Sequence, residues 1–162
     1  MLDVIKDRSL ALLDNYKRAI LAADLNFKLY NQPLSKHIYH ALYWFDYWFC
    51  APENFTGASF HIESLESLDV CSGYEITQQD LLEYHKLVKL KTIKYLDNLT
   101  AAMLQEIAAD CEDKTRFACI LGQFAHSYAH IGNVNSVTIA QTNKWVNISC
   151  RECDADKPLF DL

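Results

Sequence analysis

Apolar residues recur at mostly three- and four-residue intervals near the start of the chain. Ile5, Leu12, Leu13, Tyr16, Ile20, Ala23 and Phe27 alternate with Asp14, Lys17, Arg18 and Asp24. That period predicts an amphipathic helix over residues 2–29, with Ser9 as its one break. Asn31-Gln32-Pro33 ends the helix or bends the chain, because proline cannot continue a helix interior and the residue before it avoids the α region. Ser35 is the expected N-cap of a second helix over residues 36–50. From His37 to Phe49 that helix is apolar or aromatic on nearly every face, which places it at the centre of the molecule.

Residues 51–74 hold no sustained period and contain Pro52, Gly57 and Gly73, so they predict a long crossover connection with at most a short helical turn. Thr77-Gln78-Gln79-Asp80 has the pattern of a capping box and opens a third helix to about residue 99. At about 100° per residue, Leu81, Tyr84, His85, Val88, Thr92, Tyr95, Leu96 and Leu99 share one side, which turns His85 inward. After a connection with its own helical turn over residues 101–108, a fourth helix is expected over residues 114–140. Phe117, Ile120, Leu121, Phe124, Tyr128 and Ile131 form its expected core stripe. Cys119, Gln123, His126, His130 and Val137 form a second one. The pattern therefore predicts an all-α chain, a four-helix bundle with a long crossover between helices two and three.

Composition agrees with that pattern. In 162 residues, 51% are apolar and only four glycines and three prolines interrupt the chain, a globular and helix-rich balance. The length suits one domain over residues 1–162, with residues 141–162 as a tail packed on or extending from it. The net charge of -6 leaves no basic footprint: Lys86, Lys89, Lys91 and Lys94 spread around a helix rather than forming a stripe, which excludes nucleic acid as a partner. No apolar stretch is long enough to span a membrane, and the first residues lack a signal-peptide layout. A cytoplasmic protein without a membrane partner is expected. The six cysteines then read as reduced thiols. Cys150 and Cys153 have the spacing of half a zinc site or a redox pair, but no second such pair exists, and two ordinary thiols is the stronger reading. Cys119, two turns before His126, lines a pocket or is simply buried.

The chemistry concentrates in His126 and His130. Four residues apart on a helix, they project from one face about 6 Å apart, a spacing at which two imidazoles reach a single metal ion. The second helix adds His37 and His40, and its all-round apolar character does not choose between them. Three neutral imidazoles suit zinc, nickel, copper or iron and leave a coordination position open for water or a substrate thiolate. Ser127 follows His126 where the zinc-protease helix requires a glutamate base, so peptidase chemistry loses its main support. Asp46, Tyr43 and His85 remain as candidates for a general base. His85 reads first as a hydrogen-bonded core histidine and second as a partner behind the metal ligands, His37 as a histidine exposed or capping near the helix start, and His61 as a solvated loop residue.

The stretch Phe124-Ala125-His126-Ser127-Tyr128-Ala129-His130-Ile131-Gly132-Asn133-Val134-Asn135 resembles the signature helix of the DinB/YfiT-like family. In that family two histidines four apart precede a Gly-Gln-Leu-Asn-like segment. The run from His37 to Tyr47 is similar to the family's second helix, and residues 77–100 to its third helix and following loop. The resemblance spans most of residues 1–140. It departs at Asn133, where glutamine is common, and in the tail. By motif position it implies metal ligands at His40, His126 and His130. It further implies a divalent ion, zinc or nickel first and iron or manganese after them, and a metal-dependent transferase of thiol-type substrates or a hydrolase. The partners it implies are a small-molecule substrate such as a low-molecular-weight thiol, and a second copy in a homodimer. The alternative is a noncatalytic metal-binding or stress-related interaction module on the same bundle.

Overall fold

The computed structural model describes residues 1–50, 55–111 and 113–161. Its long elements are helices α1 (Leu2–Ala22), α2 (Leu34–Phe49), α3 (Gln78–Asn98) and α4 (Arg116–Thr142). α1 and α2 each pack against both α3 and α4. The core they enclose includes Leu12, Tyr16, Leu42 and Phe45, which have no exposed surface. Each buried side chain of this size contributes about 1.5–3 kcal/mol, so packing holds the helices together. No described helix is long and apolar enough to cross a membrane.

α1 stops seven residues short of its expected end at residue 29. Past Ala22 the Asp24 carboxylate accepts the backbone N–H of Asn26 at 3.2 Å, a local bond that competes with the helical ladder. The chain then forms a small antiparallel hairpin, β1 (Lys28–Leu29) and β2 (Gln32–Pro33). Its two central residues, Tyr30 and Asn31, have φ of 50° and 63°, the left-handed pair that a two-residue hairpin turn requires. Pro33, at φ −66° and ψ 150°, is itself the residue that caps α2. Ser35 therefore lies inside the first turn rather than at the cap, because the fixed φ of proline already delivers the chain into the helix.

α2 is central, as its composition requires: even its cation Lys36 is buried and donates to the Val70 carbonyl. The connection between α2 and α3 has no helix in its described part, and residues 51–54 within it lie outside the described residues. Fully buried Leu65 anchors it. Gln32 Nε2 ties it to the hairpin by donating to the Leu68 carbonyl at 2.9 Å. α3 opens on a capping box in which Thr77 Oγ accepts from the Asp80 N–H at 3.1 Å and Asp80 Oδ2 accepts from the Thr77 N–H at 2.9 Å. A short 3₁₀ turn, Met103–Gln105, precedes α4. There Thr115 caps the helix by accepting from the Ala118 N–H at 3.2 Å.

The core stripe expected on α4 is only partly buried. Ile120 and Ile131 are inside, but Leu121 is 48% and Tyr128 39% exposed. α4 sits between α1 and α2, so it buries two flanks rather than one seam. On one flank the Tyr16 hydroxyl of α1 donates to Ser127 at 2.7 Å. On the other, the Phe124 ring lies 6.1 Å from Phe49 of α2.

The polar positions of α1 also depart from a simple amphipathic reading. Arg18 is 5% exposed. Its guanidinium meets Asp14 at 2.5 Å and donates to the carbonyls of Asp154, Ala155, Lys157 and Pro158. Asn15 exchanges bonds with Ser149 at 2.7 and 2.8 Å. The tail thus lies along α1 and covers what periodicity assigns to solvent. Its Cys150 and Cys153 are exposed free thiols.

Candidate metal centre

α2 and α4 face each other, and three histidines meet between them. Periodicity puts His126 and His130 on one side of α4, and α2 presents His40 opposite. Each of the three is half-buried and offers one ligand atom, and these atoms lie within 4.8 Å of one another. The ring centroids are 4.7 Å apart for His126 and His130, 4.8 Å for His40 and His130, and 5.2 Å for His40 and His126.

Two details show that these residues fit a cation. His40 Nδ1 donates to the Glu66 carbonyl at 2.6 Å. That bond fixes the tautomer and leaves the Nε2 lone pair free, the usual backing of a metal-ligating histidine. His40 Nε2 stands 3.2 Å from His126 Nε2. Two nitrogens bound tetrahedrally at about 2.05 Å to one ion stand about 3.3 Å apart, so the pair is at ligand spacing. The Nδ1 atoms of His126 and His130 are buried without hydrogen-bond partners in the protein. Buried polar atoms are normally satisfied, so each of these two imidazoles has a ring nitrogen that the protein does not engage.

Electrostatics keep the group in its ligating form. Burial holds His40 and His126 below the ordinary histidine pKa, each helped by a neighbouring histidine. His130 is pushed down to about 4, first by burial and then by His126, His40 and His37. Neutral imidazoles bind metal and imidazolium does not, so near pH 7 no proton needs to be displaced. A group of three histidines of this kind could hold a metal ion.

The remaining candidates are placed elsewhere. His37 is neither exposed nor a cap: it is 4% exposed, and its Nε2 donates to the Leu29 carbonyl at 2.8 Å, which ties α2 to the hairpin. Its ring centroid remains 6.3 Å from that of His130. His85 points inward as expected, and its Nε2 donates to the Leu13 carbonyl at 2.7 Å. Asp46 is fully buried, accepts from the Tyr84 hydroxyl at 2.9 Å and pairs with Lys91 at 2.5 Å. Burial nevertheless raises its pKa, against the opposing effect of Lys91. Six residues beyond His40 on α2, it faces another side of the helix.

His61 is not simply solvated. Its Nδ1 meets the Tyr39 hydroxyl at 2.7 Å, its ring stacks on Tyr43 at 5.2 Å, and its Nε2 lies 3.8 Å from the Glu66 carboxylate. Glu66 thus backs His40 through its carbonyl, while its carboxylate lies near His61 beyond hydrogen-bond reach. No sequence signal pointed to Glu66, because it sits in a connection without periodicity and acts partly through its backbone. Compared with known proteins, the chain matches no protein family, no curated protein and no solved structure.

Proposed function

We propose that this chain is a divalent-metal protein of DinB/YfiT-like type, with His40, His126 and His130 as the protein ligands, and that it acts as a metal-dependent thiol transferase or hydrolase. The observation that carries this reading is the convergence of three neutral imidazoles from two helices, with His40 held in its ligating tautomer by the Glu66 carbonyl. When bound, the ion supplies a Lewis acid that lowers the pKa of a water or thiol at a position the protein leaves open. The nitrogen donors favour zinc or nickel, ahead of iron or manganese. Glu66 orients His40, and Trp44, with its ring 6.5 Å from that of His40, flanks the group with apolar surface. The substrate class is a small molecule, with a low-molecular-weight thiol as the first choice.

Elemental analysis of the purified protein tests the centre, with near-stoichiometric zinc or nickel expected in the wild type and lost in His40→Ala. Metal-loaded protein is then screened against thiol-conjugation and ester substrates. Turnover that disappears on chelation and in His126→Ala supports the enzyme. Stoichiometric metal without turnover assigns a noncatalytic metal-binding module instead, and protein that takes up no metal overturns both.

A further inference from the structure

Away from the histidines, α4 carries a second reactive group. Cys119, in its first turns, is buried at 7% exposure. Cys111 lies in the loop before α4 and is half-buried. The two sulfurs are 3.9 Å apart, although neither is in a disulfide. The loop is held so that this approach is built in. The Ala108 N–H donates to the Lys114 carbonyl at 2.9 Å, the Cys111 N–H donates to the Ala108 carbonyl at 3.1 Å, and Ile107 bridges Thr115. Asp110, at a left-handed φ of 58°, turns the chain, and its carboxylate accepts from the Tyr47 hydroxyl of α2 at 3.0 Å.

Both thiols line an open cleft of about 690 Å³ that Trp48, Asp110, Asp113, Lys114 and Gln123 also line. That volume is within the range of small-molecule sites, about 300–1,000 Å³. In its lining, Gln123 Oε1 is buried without a hydrogen-bond partner in the protein. Sulfurs at 3.9 Å are in contact, about 2 Å beyond the disulfide bond length of about 2.05 Å.

We infer that Cys111 and Cys119 form a redox-active dithiol that exchanges with low-molecular-weight disulfides in this cleft. Cys111, the more accessible thiol, attacks as its thiolate one sulfur of a disulfide RSSR. The S–S bond of RSSR breaks, a Cys111–S–S–R mixed disulfide forms, and RS⁻ leaves and takes up a proton. Cys119 then gives up its proton and attacks the Cys111 sulfur, which closes the Cys111–Cys119 bond and releases the second RS⁻. The protein loses two electrons and two protons, and RSSR becomes two RSH. Burial, followed by the hydrogen bond with Cys111, raises the Cys119 pKa to about 11, so Cys119 waits as the resolving thiol and does not make the first attack. This site stands independently of the metal reading.

Full-length protein equilibrated in glutathione and glutathione-disulfide buffers, alkylated and peptide-mapped by mass spectrometry tests it. Cys111 and Cys119 are expected to lose alkylation together and to appear as one linked species, lighter by the two hydrogens lost and restored by excess glutathione. In Cys119→Ser, Cys111 should stop at the glutathione mixed disulfide. In Cys111→Ser, Cys119 should remain an unmodified thiol. The inference is overturned if both stay thiols while Cys71, Cys150 or Cys153 oxidises, if either links to another cysteine, or if wild-type Cys111 halts at the mixed disulfide. Far-UV circular dichroism checks that the variants fold, and the wild-type map decides the matter without them.

Discussion

His85 and the three-histidine group hold their imidazoles differently: His85 is buried, whereas the three are half-buried with ligand atoms close enough together that they could hold a metal ion. In both regions burial holds imidazoles neutral. His85 spends its ring N–H on the Leu13 carbonyl, one turn of α1 away from the fully buried Tyr16, and joins α3 to α1. Asp46, Tyr84 and Lys91 do the same for α2 and α3. Between α2 and α4 the rings face one another instead, with His126 Nδ1 and His130 Nδ1 left without partners. Histidine burial alone therefore identifies nothing; His40, like His85, gives one ring N–H to a backbone carbonyl, and what sets it apart is that its other ring nitrogen stands 3.2 Å from that of His126.

The largest effect should come from the satisfied side. Asp46→Ala removes the acceptor of Tyr84 and the counter-ion of Lys91, and chemical denaturation should show a loss of about 3 kcal/mol. Metal affinity should stay unchanged; a loss of metal with stability intact would break the comparison by moving Asp46 into the site. On the unsatisfied side, zinc at a hundred times its dissociation constant should stabilise the wild type by about 2.7 kcal/mol in thermal unfolding. His130→Ala should erase that gain, and an equal gain in the variant would remove His130 from the ligand set.

His85→Leu removes the side-chain bond to the Leu13 carbonyl, which keeps its helical partner in α1, and should cost about 0.5–1.5 kcal/mol while leaving zinc uptake at wild-type stoichiometry. Reduced uptake would show that His85 belongs to the site after all. A further effect is a pH dependence of the metal-free protein. An unfolded histidine takes up a proton near pH 6.5, whereas folded His130 does so only near 4. The unfolded state therefore binds more protons between those values, and stability is full above about pH 6.5 and falls as pH drops toward 4. Compared with His130→Gln, which does not titrate, the wild-type melting temperature should lose ground across that window. A constant difference would mean that His130 is not held neutral by its surroundings.

Much of the helical frame was legible in the chain, because helix periods and caps are local. The Thr77–Asp80 box needs only a four-residue interval, and so does the shared face of His126 and His130. Legibility failed where distant segments intervene. α1 carries Arg18 on its polar side, but the tail from Ser149 to Pro158 folds over it and supplies the carbonyls that bury it. Leu121 and Tyr128 look like core and face outward, because α4 is wedged between two helices and not laid on one.

The second-helix histidine separates the two levels most clearly. An α2 apolar on every side has no face that periodicity can assign, so from the residues alone His37 and His40 are equivalent. Packing of α2 against the hairpin gives His37 the Leu29 carbonyl, and packing against α4 turns His40 toward His126. Glu66 and the Cys111–Cys119 contact belong to the same category, since each depends on where a loop without periodicity comes to rest. The sequence determined which side chains have the chemistry to bind metal or exchange disulfides. Tertiary packing decided which of them meet, because the distances that join ligands and thiols are set by helix contacts and loop closures that no local pattern encodes.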